Sequence, residues 1–464
     1  MKTKLFSAIG LLVAISSVMF LSGCDKDLVD INNSPNAVSQ ANVKTIIGQQ
    51  AVLVGLQSAI GDWYSGDRSR LLSIWTRQMC APTGLGRPQP ASWNNYLMDR
   101  AKNSVNDYNW SQGYRAVKLA NDIIYNAADA GLAGNTLNTF LGIAKFYKAL
   151  ILGDQAAVYG DVPMETLTDF PVYAKQSAVI AYTQTLLDQA IGHFQAVTPP
   201  STLAMDLPFK GDAAKWIPAC NSLKARHYLF ALNYASAASS AAQGISAATG
   251  TVNAIYSLTA GEYSPWGHWT NTETGEPIRS NKYYVDLLKS EPGDRRLTTF
   301  LSVRGGAAAI VGFDIYADLG GTGDERTPTR AAGLAKYGPY NAPFPLMSYE
   351  ENLLIRAEAK ARTGDTPGAI TDLNTIRTTA GLTAKTAGDF ANTAALISEI
   401  IKQKYLQLFL EGQAYHDMRR VNKTDGTPLY RTGIPTRWLY VEAEITTNPN
   451  TPKGDSEQAR NELW

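Results

Sequence analysis

The sequence predicts a mainly α-helical protein in which paired helices carry large irregular segments and minor β-structure. Three observations lead to this prediction. Apolar side chains recur at helical spacing in many segments, alanines line a late helix pair, and long stretches rich in Gly and Pro lie between the helices. The chain has 464 residues, of which 45% are hydrophobic and 18% are charged. This composition is typical of a globular protein and not of a disordered or fibrous one.

The first 24 residues are typical of a bacterial lipoprotein signal. Lys2 and Lys4 precede an uncharged apolar run at 5–20, which is short for a membrane-spanning helix. Leu-Ser-Gly-Cys at 21–24 resembles a lipobox, in which the cysteine is acylated and the peptide is cut just before it. We predict a signal peptide over 1–23, lipidation of Cys24 and a lipid-anchored tether over 24–40. An ordinary signal peptide with an incidental cysteine is the alternative.

Residues 41–464 are predicted to form a single helical body. Its first apolar stripe consists of Val43, Ile46, Ile47, Ala51 and Val54. These positions fall on one face of a helix, because 3.6 residues make one turn. Comparable stripes follow at 114–128, 140–150, 179–194, 223–237 and 397–409.

The clearest helix pair lies late in the chain. A helix over 349–361 has alanines facing one side, and Gly364 ends it. Thr366 and Pro367 then cap and open a second helix that continues to Ile376. Small side chains at this spacing let two helix backbones approach closely. The pair therefore resembles a tetratricopeptide unit, and the segments 144–160 and 179–194 resemble it more weakly.

Two long segments, part of 61–95 and 244–346, do not show helical spacing and are expected to be irregular excursions from the body. Irregular segments of this length are uncommon unless they are functional. Binding residues often lie on loops that a rigid scaffold positions. We therefore expect ligand-binding residues in these segments.

Charge and motif content exclude several functions. Lys and Arg number 42 against 41 Asp and Glu, so the chain lacks the basic excess that nucleic-acid binding requires. The motifs of phosphate-binding loops, dinucleotide folds, serine hydrolases and zinc proteases do not occur. The four histidines are dispersed, and no Cys/His cluster has zinc-ligand spacing. We predict no catalytic residue, cofactor or metal, while a pair of carboxylates for glycoside hydrolysis remains an alternative.

The remaining cysteines and one acidic loop leave alternatives open. Cys80 and Cys220 are compatible either with a disulfide in an oxidising compartment or with two buried thiols. The run Gly-Gly-Thr-Gly-Asp-Glu at 320–325 offers oxygen ligands for calcium but matches no EF-hand spacing. A surface loop is the expectation for that run.

Aromatic residues supply the candidate ligand contacts. The chain has nine Trp and 23 Tyr, and several of them cluster in the segments predicted to be irregular. Sugar rings present apolar C–H faces on which flat aromatic side chains stack, while polar side chains bond the hydroxyls. Peptides also favour such surfaces, and aromatic residues can instead anchor loops to the scaffold. The clusters include Trp63, Tyr64, Trp75, Trp93 and Tyr96 in or beside the first segment and Trp266, Trp269 and Tyr316 in the second.

Several further motifs occur in a characteristic order along the chain. They are acidic residues after the lipobox, Tyr-Gly-Asp-Val-Pro at 159–163, Gly-Asp-Ala-Ala-Lys-Trp at 211–216, Ser-Leu-Lys-Ala-Arg at 222–226, Asp-Arg-Arg-Leu at 294–297, the helix from 349, Glu-Gly at 411–412 and Asp-Met-Arg-Arg at 417–420. Together they resemble the SusD/RagB-like outer-membrane lipoproteins of Gram-negative bacteria. Arg295 departs from the resemblance, because the family often has proline there.

The resemblance implies a helical fold with four tetratricopeptide-like units and a loop-rich remainder. It also implies a non-catalytic, lipid-anchored protein of the outer membrane, exposed at the cell surface. Such a protein sits as a lid on a TonB-dependent, SusC-like barrel and captures oligosaccharides or peptides for import, of which oligosaccharides are the expected ligand here. In relatives that bind starch, the binding aromatics lie in the early and middle loops. By this regional match, the resemblance implies that the candidate ligand contacts are Trp75, Trp93, Asn94, Tyr96, Trp266 and Trp269. A peptide ligand, a surface glycoside hydrolase and a structural or adhesive lipoprotein are the alternatives.

Overall fold

The computed structural model describes residues 40–82, 88–98, 100–102, 104–272, 278–315, 320–321, 323–425 and 434–452. The predicted signal peptide, Cys24 and nearly all of the predicted tether lie outside these residues. Within the described ranges, no helix is both long and apolar enough to cross a membrane.

The described chain is mainly helical, as predicted, and its strands are short. The helices are α1 (Gln40–Val43), α2 (Ile46–Ser65), α3 (Asp67–Trp75), α4 (Pro88–Trp93), α5 (Val105–Asn126), α6 (Gly134–Tyr159), α7 (Gln176–Gln195), α8 (Ala213–Phe230), α9 (Tyr234–Ala242), α10 (Pro265–Thr272), α11 (Lys282–Lys289), α12 (Arg296–Phe300), α13 (Tyr349–Arg362), α14 (Thr366–Thr379), α15 (Thr393–Gln407), α16 (Gln413–Asp425) and α17 (Glu442–Thr447). The strands are β1 (Met79–Cys80), β2 (Val162–Pro163), β3 (Tyr173–Ala174), β4 (Val252–Ala254), β5 (Arg279–Ser280), β6 (Leu301–Ser302), β7 (Gly333–Leu334) and β8 (Phe344–Met347). They form antiparallel pairs β1–β5, β2–β3, β4–β8 and β6–β7.

The long helices pack in a continuous series. Helix α2 packs against α5, α5 against α6, α6 against α7, α7 against α8 and α8 against α9. Helix α9 then packs against α13, which contacts both α14 and α15. At the contact of α13 with α14, Ala357, Ala361 and Ala369 are buried. These small side chains let the two backbones approach, as the sequence predicts.

Polar side chains fix where the late helices begin. Ser348 Oγ accepts a hydrogen bond from Glu351 N at 3.1 Å and caps α13. Asp365 caps α14 by accepting from Gly368 N at 2.9 Å. The prediction placed this cap at Thr366, one residue too late, because the Asp365 carboxylate already satisfies the free backbone N–H. Gly364 ends the preceding helix with φ +94°, a conformation that favours glycine.

Helix α2 buries a different face from the predicted one. Ile46, Ile47 and Val54 are 44%, 79% and 39% exposed, whereas Leu53 is fully buried. The inner face includes Gln49, whose Nε2 donates to Val43 O at 2.7 Å. Because this buried amide has backbone partners, a polar residue can occupy the core-facing position. The part of the predicted apolar stripe that lies on α2 is therefore the exposed side of the helix, while Val43, on α1, is buried.

The segment 61–95, predicted to be partly irregular, is largely helical in the described residues. It contains the end of α2, all of α3 and the short α4. Trp63, Leu71, Leu72 and Ile74 are all buried. Arg68, Ser69 and Ser73 are buried as well, so polar residues interrupt the apolar spacing that would indicate a helix. The segment 244–346, by contrast, contains only short elements in its described residues.

Charged residues of the sequence motifs form buried ion pairs between helices. The Arg226 guanidinium on α8 bonds both carboxylate oxygens of Glu351 on α13, at 2.7 and 2.5 Å. Arg420 on α16 bonds both oxygens of Glu358 at 2.5 and 2.7 Å. All four side chains are at most 2% exposed. Bidentate geometry of this kind compensates the loss of hydration and fixes how the helices sit against one another.

The Arg226–Glu351 pair gives a test of this arrangement. Glu351→Gln leaves a buried guanidinium without its carboxylate, so we expect the free energy of unfolding to fall by about 3–5 kcal/mol. Glu350→Gln is the matched control, since no ion pair of Glu350 occurs in the described part of the chain. It should change stability by no more than about 0.5 kcal/mol. Urea denaturation measures both, and equal losses in the two variants would contradict the assignment.

Candidate functional site

Three adjoining recesses form one groove between α2, α3 and α5 on one side and the segment 255–269 on the other. The recesses have volumes of about 490, 740 and 260 Å³. Asp62 and Tyr263 line both the first and the second recess. Asp67 and Tyr108 line both the first and the third. We refer to the three recesses together as the groove.

Helix α3 is anchored to the interior by the residues between its groove-lining side chains. Arg68 is 1% exposed, and its Nη2 lies 3.0 Å from Asp154 Oδ1 on α6. Ser69 Oγ donates to Leu410 O at 2.5 Å. Since successive residues on a helix are about 100° apart, burying Arg68 and Ser69 leaves Asp67 and Arg70 at the groove.

In this anchor, Asp154 is charged and His416 is neutral near neutral pH. Burial would raise the pKa of the Asp154 carboxyl, but the Arg68 guanidinium and His416 hold that pKa well below its usual range. Burial lowers the pKa of His416 to about 3, so its imidazole is neutral at pH 7. The carboxylate of Asp154 therefore stays available to Arg68 over the physiological pH range.

Helix α10 brings Trp269 to the groove. Trp266, one turn earlier, is buried, and its Nε1 donates to Ser69 Oγ at 3.1 Å. Its ring meets Trp269 edge to face, with 5.3 Å between ring centroids. The Arg70 guanidinium lies over the ring of Trp269, which is only partly buried. The same Arg70 pairs with Asp67, so charge and aromatic packing together hold the Trp269 ring at the first recess.

Tyr263 and His268 extend this aromatic surface. The ring of Tyr263 lies 4.2 Å from that of Tyr340 and 6.2 Å from the imidazole of His268, measured between centroids. Tyr263 is half-buried and His268 is exposed. Trp269, Tyr263 and His268 together give the first recess one largely aromatic wall.

The opposite wall of the groove is polar. The Tyr108 hydroxyl on α5 donates to the Asp62 carboxylate on α2. Burial and the neighbouring Asp62 carboxylate raise the pKa of Tyr108, so the phenol stays protonated. The exposed Arg115 on α5 also belongs to this wall and lines the second recess. On the aromatic side, Glu262 accepts a hydrogen bond from Ser257 Oγ at 2.5 Å. An aromatic wall facing carboxylates and a guanidinium suits a ligand that has both apolar faces and hydroxyl groups.

The described residues bear on two possibilities, a metal site and a disulfide. Among them, no group of three His, Cys, Asp or Glu is placed to hold a metal ion. In the acidic run 320–325, Asp324 pairs with Arg330 instead of presenting a free carboxylate. Cys80 and Cys220 are both buried free thiols, which resolves the alternative left open by the sequence. Burial raises the pKa of each thiol.

A sequence profile of one family, described as SusD-like, starch-binding and associating with outer membrane, matches residues 78–440. The chain belongs to the SusD-like family. Among curated protein sequences, none matches it significantly.

Solved structures of SusD-like proteins share the fold. A SusD homolog from Bacteroides fragilis has a TM-score of 0.69 and 16% identity, covering 89% of this chain and 98% of that one. A SusD/RagB family protein from Bacteroides thetaiotaomicron has a TM-score of 0.68 and 17% identity, with 87% and 94% covered. A chitin-binding SusD homolog from Flavobacterium johnsoniae has a TM-score of 0.66 and 17% identity, with 88% and 93% covered.

The structure places three of the predicted contacts of this SusD-like chain in the helical interior. Trp75 is 1% exposed, with its ring 5.8 Å from that of Tyr96 and 6.0 Å from that of Trp438. Trp93 is also buried. Asn94 bonds the backbone of Ala81 through both its amide oxygen and its amide nitrogen. Packing inside the chain accounts for these residues.

The other three predicted contacts differ in how deeply they are buried and in whether they line the groove. Tyr96 is half-buried against Trp75, and Trp266 is buried behind the groove, where it supports Trp269. Of the six candidates, Trp269 is the one that lines the groove. Ligand contact by the six candidates remains a prediction, and Trp269 is the candidate whose position at the groove supports it.

Sequence reasoning missed most of the groove. Among the groove residues that it did not select are Asp62, Arg70, Tyr108, Tyr263 and His268. Tyr263 and His268 flank Trp266 in the sequence, so extending the aromatic cluster by a few residues includes them. Asp62, Arg70 and Tyr108 carry no such signal, because only the packing of α2, α3 and α5 places them beside residues that lie about 150–200 positions later.

Proposed function

We propose that this SusD-like protein captures oligosaccharides in the groove and delivers them to a TonB-dependent, SusC-like transporter without catalysis. One observation carries the proposal. The groove places the partly exposed rings of Trp269 and Tyr263 across from the polar pair formed by Tyr108 and Asp62.

This arrangement matches the chemistry of a sugar. An aromatic ring stacks on the apolar C–H face of a hexose, while carboxylates and guanidiniums bond its rim of hydroxyls. The two larger recesses, about 490 and 740 Å³, fall in the range typical of small-molecule sites. Because they adjoin, they offer space for more than one sugar unit along the groove.

The paired state of the carboxylates favours binding over hydrolysis. A glycosidase needs one protonated carboxyl as a general acid and a second carboxylate at a set distance. In the first recess, Asp67 pairs with Arg70 and Asp62 accepts from Tyr108. We therefore propose a role in binding for these carboxylates.

Substitution of the aromatic wall tests the proposal. Trp269→Ala and Tyr263→Ala should each weaken oligosaccharide binding by about 1–3 kcal/mol, because each removes a ring from the centre of the site. Phe170→Ala is the control: Phe170 is 54% exposed and outside the groove, so its loss should leave affinity unchanged. Calorimetry with a saccharide chosen from a glycan array measures all three.

Unchanged affinity in both groove variants, with normal thermal unfolding, would remove the groove as the binding site. A peptide library screened in parallel addresses the ligand class. If peptides bind and no glycan does, the same groove would be a peptide site.

We propose further that Cys24 carries the lipid that anchors the protein to the outer membrane. Several acyl chains hold a protein to a bilayer durably, whereas one chain binds it reversibly. In cells supplied with labelled palmitate, the wild-type chain and Cys80→Ser should take up label, and Cys24→Ser should not. An unlabelled wild-type chain would contradict the lipid anchor.

The anchored chain should also co-purify with a barrel transporter from detergent extracts.

A further inference from the structure

The groove has an excess of negative charge, which bears on the class of oligosaccharide that it takes if the proposed function holds. The described side chains that line it include four carboxylates, two guanidiniums and no lysine amine. The carboxylates belong to Asp62, Asp67, Asp107 and Glu262, and the guanidiniums belong to Arg70 and Arg115.

Two of the carboxylates have hydroxyl donors and no cation as partners. Asp62 accepts from the Tyr108 hydroxyl, and Glu262 accepts from Ser257 Oγ at 2.5 Å. In the residues that the structure describes, neither carboxylate lies within ion-pair distance of a basic side chain. Both are exposed, so a ligand can reach them.

The basic groups of the groove, which are Arg70, Arg115 and His268, offset only part of this charge. Arg70 is engaged by Asp67 and packs over Trp269. Arg115 is exposed, and its Nη1 lies 3.5 Å from Gln112 Oε1, so it can offset one negative charge of the second recess. An anionic ligand in the groove would therefore meet more carboxylates than guanidiniums, and a cationic ligand would find two carboxylates without a basic partner.

We propose that the groove selects oligosaccharides that carry protonated amino groups and disfavours those built from uronic acids, with Asp62 and Glu262 as the residues that determine this selectivity. A charge-assisted hydrogen bond from an ammonium group to a carboxylate is stronger than one from a hydroxyl. A sugar carboxylate placed beside Asp62 or Glu262 instead meets like charge, which suppresses binding of the wrong ligand.

The test uses hexamers that share linkage and length but differ in charge. They are β-1,4-linked glucose, glucosamine and glucuronic acid, together with α-1,4-linked galactose, galactosamine and galacturonic acid. In the series that binds, we expect the amino hexamer to bind about tenfold more tightly than the neutral one, and the uronic hexamer about tenfold more weakly. Calorimetry at pH 6 and low salt measures the three affinities.

Variants test whether the carboxylates of Asp62 and Glu262 cause this order of affinities. The double variant Asp62→Asn, Glu262→Gln should reduce the gap in affinity, which is the ratio of the affinity for the amino hexamer to that for the uronic hexamer, at least tenfold. Glu442→Gln, an exposed glutamate on α17 outside the groove, should leave the gap unchanged. An unchanged gap in the double variant, or a uronic hexamer that binds as tightly as the neutral one, overturns the selectivity. Absence of binding by every hexamer overturns the proposed oligosaccharide function as well.

Discussion

The buried ion pair between Arg68 and Asp154 is the interaction on which the groove depends. It holds α3 against α6 at a point where neither side chain reaches water. Ser69, the next residue, bonds the backbone at Leu410 and accepts from the indole of Trp266. One side of a short helix is thus fixed to the scaffold and to α10, and the other side presents Asp67 and Arg70. An unpaired buried charge would cost several kcal/mol, so the helix has little freedom to rotate.

The motifs that resemble the SusD/RagB family serve the same scaffold. Arg226 and Glu351 join α8 to α13, and Arg420 joins α16 to α13 through Glu358. Their charges are satisfied inside the protein and are not available to a ligand. This explains why the motifs identify the fold and the family while carrying no information about the ligand. Selectivity must come from residues outside these motifs, such as those of the groove.

Helical structure and family could be predicted because periodic apolar spacing and ordered motifs are properties of the chain itself. The binding surface could not be predicted, because a tryptophan in the core and a tryptophan in a groove look alike in sequence. Trp75 packs among aromatic rings in the interior, whereas Trp269 lines the groove. Helix α2 is a second example. Its inner face includes the buried amide of Gln49, so apolar spacing does not identify that face as the buried one. Partners such as Asp62 and Tyr108 meet only when the helices pack.

Hydrogen–deuterium exchange of the intact chain, with and without saturating oligosaccharide, tests most directly where the ligand binds. We expect slower exchange at 54–70, 104–115 and 255–269, the segments that form the groove. We expect no change at 385–402, which lines a separate recess beside α11 and α15. Slower exchange at 385–402 with the groove unaffected would show that the ligand binds elsewhere and would contradict the proposed site.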